Sequence, residues 1–217
     1  MDSKLNLEHN KLFESKTIIG KTFKLTKINP KSIEDAKLII DLRNRKLNNF
    51  LKIGSSSLQD QMNYLSNYKL GFDRGEQIYF KILDIHKNTY DGVVRITELN
   101  EIDKFGWESM VVREDISPAV PTDVMLAIYN IGFEKLERKS CGPWEVSKEN
   151  SRVLQWHKKI GMTEITNEDE EYFYHVHLVP FLFLVHFFLV SIYVPLLGFL
   201  LTPNHDRKDN LNNPCPI

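Results

Sequence analysis

The stretch VSKENSRVLQWHKKIGM, residues 146–162, holds two side chains whose types and spacing invite chemistry, Asn150 and His157. Seven residues of helix turn through about 700°, so the two lie within about 20° of one line and about 10 Å apart along the axis. Val153, Leu154 and Ile160 flank that line, so an amide and an imidazole point toward the interior or into a cleft. An imidazole placed there can give or take a proton near neutrality, its unperturbed pKa being about 6.5. The alternative is that Asn150 is an N-cap and His157 a satisfied core histidine, and spacing alone leaves both open. Other pairings are poorer. His175 and His177 share a face of an extended segment, but no third ligand is evident, so no metal site is expected. Cys141 has no motif partner, and no phosphate loop, zinc spacing or nucleic-acid signature occurs.

The elements that must position these residues belong to an ordinary globular chain of 217 residues, 42% hydrophobic and 26% charged. Twenty-eight basic residues nearly cancel 29 acidic ones, so no global field favours nucleic acid or an anionic membrane. Two cysteines, Cys141 and Cys215, argue against a disulfide framework. The polar segment 1–16 has no apolar core of the kind a secretory signal needs, and a cytoplasmic location is expected.

Residues 22–28 alternate as a strand closed by Pro30. Ser32 caps a helix with Ile33, Ala36, Ile40 and Leu47 on helical spacing, running to about Phe50, and Ser57 opens a second that ends near Gly71. Residues 78–85 and 92–99 form a hairpin, and 104–112 a further strand. Pro121 stands in the first turn of a buried helix to about Glu137. A strand at 142–147, the helix 150–160 and a last strand at 171–177 complete the order βααβββαβαβ. One mixed α/β domain over 17–177 is the economical reading, with a polar lead at 1–16.

Residues 178–202 have no formal charge and as a helix would span about 37 Å, more than the ~30 Å of a hydrocarbon core. This segment of the 178–217 tail reads either as a membrane anchor, which would tether the protein, or as the product of an altered reading frame.

The succession Val146, Lys148, Asn150, His157, Lys158, Gly161 and Met162 resembles the segment N-x-x-(V/A)-x-x-φ-(Y/H)-x-k-x-G-(F/A) of the GCN5-related N-acetyltransferases. The element order over 17–177 is similar to theirs as well. Leu42-Arg43-Asn44 and Trp107-Glu108 resemble the branch that acetylates ribosomal-protein N-termini and nucleotide-linked amino sugars. The resemblance implies a mostly antiparallel mixed sheet with helices on both faces and a splayed-strand cofactor cleft, the acyl-CoA N-acyltransferase fold, followed by the hydrophobic tail. It implies acetyl-CoA as co-substrate and a small-molecule amine, such as a nucleotide-linked amino sugar, as acceptor. A protein N-terminus, or acyl-CoA binding without catalysis, are the alternatives.

In that reading backbone groups of Met110, Val111 and Val112 meet the pantetheine arm. Ser117, Ala119, Val120 and Thr122 meet the pyrophosphate at a helix N-terminus, with Asn150 and His157 on the far wall. His157 stands where the family often has a tyrosine general acid. Glu108, expected on the face shared with Met110 and Val112, is the candidate base, or else a half-exposed strand glutamate. One departure is plain: REDISPAVPTDV has no glycine, its Pro118 and Pro121 remove two N–H donors, and Asp123 adds negative charge near the expected phosphate.

Overall fold

The computed structural model describes residues 3–45, 57–147, 150–159, 163–165 and 173–178. The chain runs α1 (Ser3–Glu14), β1 (Thr17–Ile19), β2 (Phe23–Lys27), α2 (Ile33–Arg43), α3 (Leu58–Asp73), β3 (Ile78–Asp84), β4 (Thr89–Thr97) and β5 (Lys104–Val112). It continues through α4 (Ala119–Tyr129), a π-helical turn (Asn130–Lys135), β6 (Ser140–Ser147), α5 (Ser151–Lys159), β7 (Thr163–Ile165) and β8 (Phe173–Leu178).

Both helix starts expected at serines are real caps. Ser32 accepts from the Asp35 N–H at 3.1 Å, and Ser57 forms a reciprocal box with Asp60. Helix α2 ends at Arg43, where the Asn44 N–H closes on the Ile40 carbonyl; residues 46–56, including the expected run to Phe50, lie outside the described residues. The polar lead contains α1. Of its residues Leu12 enters the core and Phe13 packs beside it, while His9 meets the Gly75 carbonyl at 3.1 Å. So short an apolar contact leaves no helical stripe to read in the sequence.

The eight strands form one sheet in the order β1-β2-β3-β4-β5-β6-β8-β7, antiparallel at every junction except β5–β6. Strand alternation feeds two cores. On β3, Ile78, Phe80 and Ile82 join Phe105, Trp107 and the inner residues of α4 on one face. Tyr79 joins Ile39, Leu42, Leu65 and Tyr68 from α2 and α3 on the other. The architecture is therefore three layers, helices over both faces of a mixed, mostly antiparallel sheet. The π-helical turn brings Gly132 against Phe105, whose ring would stand 2.1 Å from any Cβ there. Only glycine lets that turn settle onto β5.

Candidate functional site

Among the described residues β5 and β6 pair only at Lys104↔Ser140 and Phe105↔Cys141. Beyond those two pairs β5 continues with β4, and β6 continues with β8. The strands part into a wedge, as the sequence reading expected. Both edges of the wedge are irregular. Gly142 takes φ 100° directly after the last paired residue, and the β6–β8 register shifts between Cys141 and Trp144. On β5, Ser109 takes φ 54°, and the register with β4 passes from Val93↔Val111 to Arg95↔Glu108. One residue of β4 thus faces two of β5, which is a β-bulge.

The bulge corrects the expected placement of Glu108. Trp107, Met110 and Val112 pack on the α4–α5 side, whereas Val111 belongs to the α2–α3 core. Glu108, next to Trp107 in the strand, therefore faces α2 and α3 and does not share a face with Met110 and Val112. Its carboxylate is engaged by Arg95 of β4, which also donates to the Tyr64 hydroxyl at 2.6 Å and to Gln77 Oε1 at 3.3 Å. To act as a base, Glu108 must work beside this ion pair. Sequence reasoning missed Arg95 and Tyr64. The available signal was a lone arginine inside the apolar run GVVRITEL.

On the opposite side α5 lays Leu154 and His157 into the core, with Val153 and Trp156 packed against it. Asn150 spends its side chain as a cap, its Oδ1 accepting from the Val153 N–H at 3.3 Å. This is the cap that the sequence offered as one role for Asn150. His157 is 3% exposed. Its ring stacks on Trp107 with centroids 6.0 Å apart and meets Trp156 edge-on at 5.2 Å. Burial among these rings lowers its pKa from 6.5 to about 4. The expected neutral-pH titration is therefore corrected: at pH 7 the His157 ring is neutral. Trp107 Nε1 in turn donates to the Tyr129 hydroxyl at 3.3 Å, and burial pushes Tyr129 well above the usual phenol range.

At the mouth of the wedge α4 begins at Ala119, and its N-cap residue Pro118 makes no side-chain cap hydrogen bond. Ser117, Ala119 and Thr122 are exposed around that tip. Val120 departs from expectation: its side chain is fully buried, and its N–H is taken by the Ser117 carbonyl at 3.0 Å. The Thr122 hydroxyl bonds back to the Pro118 carbonyl at 2.9 Å. Asp123 is held by the Thr22 hydroxyl at 2.7 Å, which ties its carboxylate to the start of β2. Met110 and Val112 are half-buried along the β5 edge, and Val111 can offer the wedge only its backbone.

Among the described residues no group of three or more metal-ligating side chains occurs, and no helix is long and apolar enough to cross a membrane. Residues 179–202 of the apolar segment lie outside the described residues, as do the side chains of His175 and His177.

No protein-family model and no curated protein matches the sequence. Solved structures do. Apo FdhC, a nucleotide-linked sugar GNAT, superposes with a TM-score of 0.66 at 24% identity, over 84% of this chain and 98% of its own. The Vibrio cholerae spermidine N-acetyltransferase in complex with CoA and spermine gives 0.60 at 15%, over 76% and 99%. The Campylobacter jejuni N-acetyltransferase PseH in complex with acetyl coenzyme A gives 0.54 at 16%, over 73% and 99%. Such identities establish a shared fold.

Proposed function

From the acyl-CoA N-acyltransferase fold, which this chain shares with the GCN5-related N-acetyltransferases, we propose that it transfers an acetyl group from acetyl-CoA directly to a primary amine. The observation behind this is the wedge: two parallel strands that part after a single two-residue junction, with the uncapped start of α4 at its mouth. Backbone groups of 110–112, no longer facing a β6 partner, are placed to pair with an extended pantetheine arm. The α4 terminus favours the pyrophosphate through its dipole and the N–H groups around Ser117 and Ala119. The Thr22 hydroxyl holds the Asp123 carboxylate, which the bare sequence set against this reading, toward the start of β2.

In the reaction the amine nitrogen attacks the thioester carbonyl and gives up a proton, and the C–S bond breaks to leave a thiolate that takes its proton from solvent water. His157 enters this step neutral, so it steadies the departing thiolate by an N–H hydrogen bond and stores no proton beforehand. Glu108, on the other face of β5, receives the amine proton directly or through water. Holding the two reactants together contributes more than either side chain. The acceptor we propose is a small-molecule amine such as a nucleotide-linked amino sugar, in keeping with the similarity to FdhC.

Calorimetry with acetyl-CoA, followed by thiol release over a panel of amines, tests the reading. Binding with turnover is expected. Binding without turnover on any amine would identify an acyl-CoA-binding domain instead, the outcome that the glycine-free loop favours. Absence of binding at millimolar acetyl-CoA would end the proposal.

A further inference from the structure

The α2–α3 face of β5 holds more hydrogen-bond donors than acceptors. Arg95 of β4 lies in register with Glu108, three residues past the last residue that β5 shares with β6, so it sits where the wedge opens. Arg43 continues the inner face of α2 one turn beyond the fully buried Ile39. Tyr64 and Tyr79 lie within the electrostatic reach of both arginines and of Glu108. Among the described residues, three buried atoms here have no hydrogen-bond partner: Nε of Arg43, Nε of Arg95 and the hydroxyl oxygen of Tyr79, a residue with no exposed surface. A buried donor without an acceptor is costly, and more so on a cation. Two guanidinium groups against one carboxylate also leave a net positive charge.

We infer that the acceptor amine bears an anionic group, a phosphate or carboxylate, which Arg43 and Arg95 hold with Tyr64 and Tyr79 beneath it. This rests on the acetyltransferase reading and names its acceptor class. The placement follows from the donor's position. The pyrophosphate of the coenzyme belongs at α4 on the other face, so the acceptor reaches the wedge from the side of α2 and α3. Guanidinium forks match the geometry of both anions, and the same surplus of charge repels a polycation such as spermidine.

Calorimetry on the full chain with galactosamine 1-phosphate, galactosamine, muramic acid and spermidine reads this subsite without requiring turnover, while acetyl-CoA binding is measured separately. The 1-phosphate or the carboxylate of muramic acid is expected to bind about 10- to 100-fold more tightly than galactosamine, with spermidine weakest. Arg43→Gln and Tyr79→Phe should each remove most of that preference. Tyr79→Phe deletes an atom that has no partner, so it keeps the fold even where Arg43→Gln does not. Lys69→Gln, which takes an exposed cation from α3, should leave the preference intact. Equal affinity for charged and uncharged amino sugars, or a preference that survives both Arg43→Gln and Tyr79→Phe, overturns the inference. A retained anion preference without acetyl-CoA binding overturns the acetyltransferase reading and leaves the anion subsite standing.

Discussion

On one face of β5 Trp107 stacks on His157 and bonds to Tyr129, and burial favours the neutral forms of His157, Tyr129 and Cys141. His157 goes down to about 4, while Tyr129 and Cys141 go well above their ordinary values. On the other face, Glu108 is ion-paired to Arg95 and Arg43 stands nearby. The two environments are separated by the thickness of a strand. The wedge between β5 and β6 opens between them, which is the division that the proposed thioester and acceptor sites require. The difference teaches that β5 separates a dry aromatic face from an ionic one, with the bulge at Ser109 deciding which residue lies on which side.

Removing the dry side should have the largest effect. Trp107→Ala empties the space between His157 and Tyr129 and is expected to cost about 3–5 kcal/mol in urea unfolding. A loss under 1 kcal/mol would mean that this face is not a packed wall.

The next effect is a pH dependence confined to the same face. Above pH 6.5 His157 is neutral both folded and unfolded; as pH falls toward about 4, only the unfolded chain takes up the proton. The stability due to its burial is thus present at neutral pH and falls by roughly 3 kcal/mol toward pH 4. His157→Gln should flatten that part of the stability–pH curve, and an unchanged slope would show that the ring is not the titrating group.

The boundary itself is tested at Ser109, whose φ of 54° suits glycine and opposes a β-branched residue. Ser109→Val is expected to cost about 1–2 kcal/mol, while Ser109→Gly holds or gains up to about 1 kcal/mol. If both variants behave alike, the bulge is not maintained by that backbone angle. The smallest change belongs to the ionic face. The Glu108 side chain is 46% exposed, so Glu108→Gln should shift stability by less than about 1 kcal/mol, and less still in high salt. Its larger effect is expected on kcat, and unchanged turnover would remove Glu108 from the reaction.

Much of the scaffold was legible because its signals are local. Ser32 and Ser57 cap helices through partners three residues away, and the strands over 78–84 and 104–112 announce themselves by apolar runs. The inward position of His157 beside Leu154 follows from helical phase alone, whereas Asn150 precedes the helix and caps it. What could not be read depends on distant neighbours. Nothing in ESMVV marks Ser109 as a bulge, and that one residue moved Glu108 to the opposite face from the one its spacing implied. The pKa of His157 is set by rings that include Trp107, fifty residues earlier in the chain. Likewise Thr22 meets Asp123 across 101 residues, an interaction that no spacing rule could propose.

The extra residue at Ser109 also limits how this segment can change over time. Substitutions at 107, 108 or 110 alter one wall at a time and can accumulate separately. Inserting or deleting a single residue between them would exchange the contents of the two walls at once, putting a carboxylate into the aromatic layer. Homologous chains should therefore vary in composition across this strand while keeping its length, with gaps displaced to the connections on either side.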